Sequence, residues 1–201
     1  GLDVPHVLGS CATYLSGKMG GLNGQALVKG DQISFLKAFE SVSSTFNWSM
    51  DSSLYPNLAS RKIRILAGPH TARLEKDSLL DLFKQSFEIS NSSDRMGYRL
   101  KSKMLHLKDK RELLSSGVCF GTIQLPADGQ PIILMADHGT TGGYPIIGQV
   151  ASIDIPLLAQ LKPGEHIQFE EIDLRAAQQL LLEQEQEINR LRQGVKLKYE
   201  S

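Results

Sequence analysis

A mainly β fold with a few helices, closed as a barrel over its central part, is what this sequence predicts. Three observations carry the prediction. Short apolar runs of strand length recur between clusters of Gly, Pro, Asn, Asp and Ser, the pattern of small β-barrels. Only two stretches, one around Leu79–Phe87 and one after Asp173, repeat their apolar residues at helical spacing. No apolar run approaches the ~20 residues of a membrane span, so these segments must find their cover in protein.

Residues 1 to 36 mix glycine turns with two short apolar runs, Gln25–Val28 and Gln32–Leu36, read as strands joined by a turn at Lys29-Gly30-Asp31. The glycines from Gly17 to Gly24 lack the spacing of a dinucleotide fingerprint and are read as turns. Residues 41 to 60 hold seven serines with Asn47, Asp51, Pro56 and Asn57, a linker composition that places a domain boundary there. Trp48 and Tyr55 within it are expected to pin the connection to a neighbouring domain. The predicted division is therefore 1–60, 61–172 and 173–201.

Lys62–Leu66 alternates like a strand with one buried face and stops at Gly68-Pro69. Asp77 is a candidate cap for a short helix that presents Leu79, Leu80, Phe83 and Phe87. Val118–Leu125 and Ile132–Ala136 read as a hairpin, since Asp128-Gly129 lies between two apolar runs. Ile146–Ile153 and His166–Ile172 complete the strand set. In the tail, Leu174, Ala177, Leu181, Ile188 and Leu191 fall at heptad-like positions interrupted by Gln184. Asp173 can start that helix and Gly194 can end it.

Composition narrows the function. The 201 residues contain 22 Lys+Arg and 22 Asp+Glu, so no electrostatic footprint for nucleic acid or an anionic membrane is present. Apolar content of 41% and charged content of 22% are those of a soluble globular protein. Cys11 and Cys119 have no motif spacing and are read as reduced core thiols of a cytoplasmic protein. The chain has no G-x-S-x-G elbow, no P-loop and no H-E-x-x-H, and its five histidines are scattered. No metal site is expected.

The segment Ile132–Gly148 is the exception to this plain chemistry. An apolar run ends in Asp137-His138-Gly139, then breaks into Thr140-Thr141-Gly142-Gly143-Tyr144-Pro145 before the next strand. Paired hydroxyls beside paired glycines bring backbone and side-chain donors toward one small polar or anionic ligand. A glycine pair alone is more often the mark of an ordinary turn. Upstream, Arg95-Met96-Gly97-Tyr98 offers a planar donor fork suited to a carboxylate, bicarbonate or phosphate, with an aromatic ring beside it. Read without context, Arg95 is a surface residue paired with Asp94 or Asp109. Asp137 is the candidate for orienting the Thr140 and Thr141 hydroxyls.

Taken together, several segments have a family likeness. They are Gly1–Ser10 with Gly20-Gly21 and Gly30-Asp31, Ser93–Leu100, Gly121–Ile132, the Thr-Thr-Gly-Gly-Tyr-Pro turn and Leu158–Gly164. Their order and spacing resemble a carboxyltransferase-like family. It includes the C subunit of ATP-dependent bacterial 5-oxoprolinase, the KipA-type antagonist of a histidine-kinase inhibitor, the carboxyltransferase part of urea amidolyase and the second allophanate-hydrolase-like subunit. The resemblance covers roughly residues 1 to 171 and implies the C-terminal portion of a longer protein, inactive as this fragment alone.

It further implies a cyclophilin-like barrel over residues 61–172, preceded by the tail of a smaller β-rich subdomain and followed by a C-terminal helix. The implied activity opens 5-oxo-L-proline to L-glutamate, together with the A and B subunits as companions. ATP is used at the level of the complex and biotin is not expected. Thr140, Thr141 and Asp137 are then the catalytic candidates. Arg95, Tyr98, Gly142, Gly143 and Tyr144 are the candidates to hold a small lactam or carboxylate. Two further readings stay open: a non-catalytic antagonist of a kinase-inhibiting partner, and a urea-type biotin-dependent carboxyltransferase. The family commonly has arginine and glutamine before Thr-Thr, and lysine before Ile-Gly. Here His138, Gly139 and Ile146 stand instead, which removes cationic and amide groups beside the turn.

Overall fold

The computed structural model describes residues 1–37, 49–51, 54–109 and 111–199, excluding the side chain of residue 199. The chain divides into two compact units, Gly1–Met50 and Asp51–Ser201. In the first unit, isolated bridges join Leu2 to Phe35, Val7 to Ser10 and Tyr14 to Met19. The second unit contains the strands β1 (Lys62–Ala67), β2 (Phe87–Ile89), β3 (Gly97–Lys101), β4 (Ser116–Gly117), β5 (Thr122–Gln124), β6 (Ile132–Leu134), β7 (Thr141–Gly142), β8 (Ile146–Val150) and β9 (His166–Glu171). Its helices are α1 (Lys76–Lys84), α2 (Ile155–Ala159) and α3 (Leu174–Tyr199).

Seven strands close a barrel in the order β1-β8-β5-β6-β3-β2-β9. The seam is a parallel pair, with Ile63 of β1 opposite Phe169 of β9. All other neighbours in the barrel run antiparallel. Alternation sets the register: Ile63 and Ile65 point in, while Lys62 and Arg64 of the same strand point out. Ile123, Ile133, Ile147 and Ile167 join them in the buried core. There Phe87 and Phe169 meet in a tilted pair with ring centroids 4.9 Å apart. The core cluster lies wholly in the second unit. The mainly β barrel with a C-terminal helix is therefore present as expected.

Several local expectations are corrected. The run Val118–Leu125 is not one strand, because Gly121 takes φ +83° and breaks it ahead of β5. A Cβ there would sit 2.9 Å from Ile155 Cδ1, so glycine is required by both conformation and space. Ile146–Ile153 ends early, at Val150, and turns into a 3-10 segment, Ser152–Asp154. Gln25–Val28 and Gln32–Leu36 form no strands beyond the Phe35 bridge. The turn between them does form, with the Asp31 carboxylate accepting from Val28 N–H at 2.8 Å.

Helix α1 begins at Lys76, so Asp77 lies inside its first turn instead of capping it. Its buried face is Ser78 and Leu82, while Leu79 and Leu80 are exposed. Ser78 is inward because its hydroxyl accepts from His106 N–H at 2.8 Å, and Phe87 has already left the helix for β2. Gly194 does not end α3, which runs on to Tyr199. The expected start holds: Asp173 Oδ1 accepts from Ala176 N–H at 2.8 Å. Cys11 and Cys119 are free, yet exposed and not core residues. Tyr55 is exposed too, and Trp48 lies outside the described residues.

One charge cluster outside the barrel makes a pH prediction. Hydrogen bonds from Arg111 and then Arg73 hold the Asp109 carboxyl well below the usual carboxylate range. A depressed carboxylate contributes stability above its unfolded pKa of about 3.9, and loses it as pH falls through the folded value. Asp109→Asn is expected to flatten the acid limb of Tm against pH below about pH 4. An acid limb identical to that of the wild type would remove Asp109 from the account.

Candidate functional site

Two loops meet at the end of β6. In the first, Asp94 Oδ1 accepts from the N–H groups of Met96 at 2.8 Å and Gly97 at 3.1 Å, folding a side-chain turn before β3. The Ser93 hydroxyl tightens it by accepting from Arg99 N–H at 3.0 Å. In the second, the Asp137 N–H donates to the Arg95 carbonyl at 2.8 Å, and Met135 N–H donates to the Met96 carbonyl at 3.0 Å. The side chains continue the junction. Arg95 Nε lies 2.9 Å from Asp137 Oδ2, and its Nη2 donates to Oδ1 at 3.1 Å.

That fork uses one edge of the guanidinium. Arginine carries five donors, so the Nη1 edge remains without a partner among the described residues. Arg95 is 69% and Asp137 42% exposed at the side chain, so the pair is wet and adds little stability. Its value is positional, because it holds a planar cation at the edge of a cleft.

The cleft encloses about 400 Å³ and takes its apolar wall from Ile89, Tyr98, Phe120, Met135 and Leu161, with Asp94 and Arg95 as polar members. Its volume is near the lower end for small-molecule pockets. Tyr98 lies opposite Ile133 in the β3–β6 register, hence on the inward face of the barrel wall. Its hydroxyl donates to the Leu161 carbonyl at 3.4 Å, and burial raises the phenol above its ordinary pKa. Tyr98 therefore offers a ligand its ring and keeps its proton.

Arg95 and Tyr98 thus come together in the cleft, with Asp137 attached through Arg95. Thr140, Thr141, Gly142, Gly143 and Tyr144 are not among the residues lining it. Thr141–Gly142 forms β7, a two-residue ribbon with β4 in which Ser116 opposes Gly142. Thr140, Thr141 and Tyr144 are exposed. Asp137 spends its carboxylate on Arg95, and the two threonine hydroxyls have no side-chain partner among the described residues. His138 follows Asp137 in the turn, and its Nδ1 contacts the Gly139 carbonyl.

Sequence reasoning missed the apolar wall, because Ile89, Phe120, Met135 and Leu161 come from four separate segments without a shared motif. It also passed over Gln124. A glutamine inside the apolar run that forms β5 was the available signal. No group of three or more His, Cys, Asp or Glu among the described residues is arranged to hold a metal ion.

Comparison with known proteins adds the family. The model of the carboxyltransferase domain, subdomain A and B, matches residues 1–171. The chain is 38% identical over 178 residues to the 5-oxoprolinase C subunit of Escherichia coli (strain K12), covering 88% of this chain and 55% of that protein. It is 34% identical over 195 residues to the protein of the same name from Haemophilus influenzae, covering 97% of this chain and 61% of the relative. Among solved structures it is similar to the urea amidolyase of K. lactis, with TM-score 0.78 and 26% identity over 94% of this chain and 12% of that one. The chain spans less than two thirds of the length of either 5-oxoprolinase relative.

Proposed function

We propose a function that proceeds from one premise: the chain belongs to the carboxyltransferase domain family, subdomain A and B. On that premise it is part of the C subunit of a multi-subunit, ATP-dependent 5-oxoprolinase in the cytoplasm. The complex opens the lactam of 5-oxo-L-proline to L-glutamate, with the A and B subunits as companions. The observation that supports this reading most directly is the Arg95 edge beside an apolar cleft. The substrate has one carboxylate for the guanidinium and one small ring for the wall formed by Tyr98 and Phe120.

A lactam is a poor electrophile, so opening it requires activation and donors aimed at the oxygen that gains charge. Thr140 and Thr141 are our candidates for those donors, on a turn outside the cleft lining whose hydroxyls have no side-chain partner among the described residues. Arg95 binds the carboxylate, and Asp137 keeps the guanidinium plane fixed without entering the chemistry. ATP is used at the level of the complex, and biotin is not expected to take part. The test is reconstitution of the full-length protein with both companion subunits. ATP-dependent glutamate formation is expected, with a loss of at least tenfold for Thr140→Ala combined with Thr141→Ala. A reconstituted complex that hydrolyses no 5-oxoproline overturns the reading.

A second reading, a partner-binding antagonist without chemistry, is favoured by Leu174, Leu181 and Leu182, which α3 leaves exposed. Partner capture that is indifferent to the Thr140–Gly143 turn, with no turnover, distinguishes it. A urea-type carboxyltransferase is supported by the likeness to urea amidolyase. Among the described residues, no helix is long and apolar enough to cross a membrane.

A further inference from the structure

We propose that Gln124 is a ligand-binding residue whose side-chain amide donates to the carbonyl or carboxylate oxygen of a small planar molecule, bound where the β4–β7 ribbon lies against it. The inference rests on the function proposed above for the identity of the natural ligand, and on geometry alone for the site.

Gln124 is 5% exposed, and its Nε2 is buried with no hydrogen-bond partner among the described residues. Buried amides are ordinarily satisfied, and an apolar residue of equal size fits a barrel strand without that cost. The strand is shaped around this side chain. The β5–β8 register slips between Ile123 and Gln124, a bulge of the kind that re-aims a side chain next to a site. Above the amide the chain has been cut back to glycine: a Cβ on Gly142 would sit 2.3 Å from Gln124 Nε2.

The cover stands outside the barrel sheet. β7 pairs with β4 alone, over two residues, while its flanks are tied at Asp137 to Arg95 and at Pro145 to Leu125. Parting β7 from β4 breaks one short ladder and uncovers the amide N–H groups beneath the Gly142 backbone. These groups suit an oxygen acceptor on a neutral amide or a carboxylate, and they offer no counter-charge for a cation.

The experiment compares the full chain with its Gln124→Met and Gln124→Leu variants, in thermal shift with 5-oxo-L-proline, urea and bicarbonate as separate probes. Relief of the orphaned amide is expected to leave the unliganded Tm of at least one variant equal to or above wild type. At least one probe raises the wild-type Tm, and that rise is lost in both variants. In the reconstituted complex the same substitutions raise KM for 5-oxo-L-proline at least tenfold and change kcat less. Three outcomes overturn the proposal: both variants melt well below wild type, no probe shifts the wild type, or a probe shifts wild type and variants alike. If only urea or bicarbonate gives a Gln124-dependent shift, and the complex leaves 5-oxoproline intact, the assignment of Gln124 stands and the 5-oxoprolinase reading fails.

Discussion

Asp154→Ala is expected to lower the unfolding free energy by about 3 kcal/mol, the largest stability loss among the polar residues of the barrel. Asp154 is 1% exposed and sits at the end of the 3-10 segment that follows β8. Its Oδ2 accepts from the backbone N–H of Arg64 at 2.7 Å and from Arg64 Nε at 2.9 Å, while Oδ1 accepts from Nη2 at 2.5 Å. One carboxylate therefore satisfies both the backbone and the side chain of a residue in the middle of β1. The Ala151 N–H reaches the same residue, donating to the Arg64 carbonyl at 2.9 Å.

Removing the carboxylate leaves the Arg64 N–H without its acceptor and the guanidinium without its partner. The Arg64 side chain is 30% exposed, so water recovers part of the loss, which is why the figure stays at the low end of about 3–5 kcal/mol for breaking a buried pair. Helix α3 packs on the same 3-10 segment, so its first turns are expected to loosen as well. The internal control is Arg61→Ala. Its pair with Glu165 is 43% and 30% exposed and is worth less than about 1 kcal/mol. Urea denaturation of both variants decides the matter. Equal midpoints would show that burial of the Asp154 carboxylate contributes nothing beyond a surface pair.

The barrel was legible in the sequence where period and turn chemistry agreed. Lys62–Ala67 alternates, Asp128-Gly129 closes a hairpin, and both elements stand where they were expected. Strands β2 and β3 were not legible. Phe87–Ile89 is three residues long and directly follows a helix whose last apolar residues continue the helical spacing. Gly97–Lys101 carries two cations on its outer face, so its apolar face shows only Tyr98 and Leu100. The helix end at Gly194 failed for a different reason. A glycine within a helix costs only about 1 kcal/mol, less than the surrounding residues of good propensity can supply.

The candidate site divides in the same way. Arg95, Tyr98 and Asp137 could be named from their residue types, but their pairing could not, because Asp94 and Asp109 were equally available in sequence. Asp94 is consumed by its own turn, and Asp109 by Arg73 and Arg111, which leaves Asp137 for Arg95. That elimination is visible only in three dimensions. Gln124 escaped notice because its significance lies in what it fails to contact.

On the proposed function, Arg95→Ala in the reconstituted complex is expected to lower kcat/KM for 5-oxo-L-proline by about two to three orders of magnitude, as the loss of a charge-assisted contact to a substrate carboxylate would. Stability is expected to move by less than about 1 kcal/mol, since the Arg95–Asp137 pair is exposed and the loop is held by backbone bonds on both sides. The two expectations together exclude a merely structural role, which would lower Tm and activity in step. Arg95→Lys keeps the charge and loses the planar fork, so it recovers binding only in part.

Asp137→Asn is the sharper comparison. It retains a side chain of the same shape and removes the charge that fixes the guanidinium plane. A milder loss, carried by KM more than by kcat, is expected if Asp137 positions Arg95 and takes no part in proton transfer. A collapse in kcat at unchanged KM would instead make Asp137 a chemical participant, and its present contact with Arg95 would then be the resting arrangement of a base. Wild-type turnover in Arg95→Ala would detach the cleft from the activity altogether, leaving the ribbon over Gln124 as the place to look for the substrate.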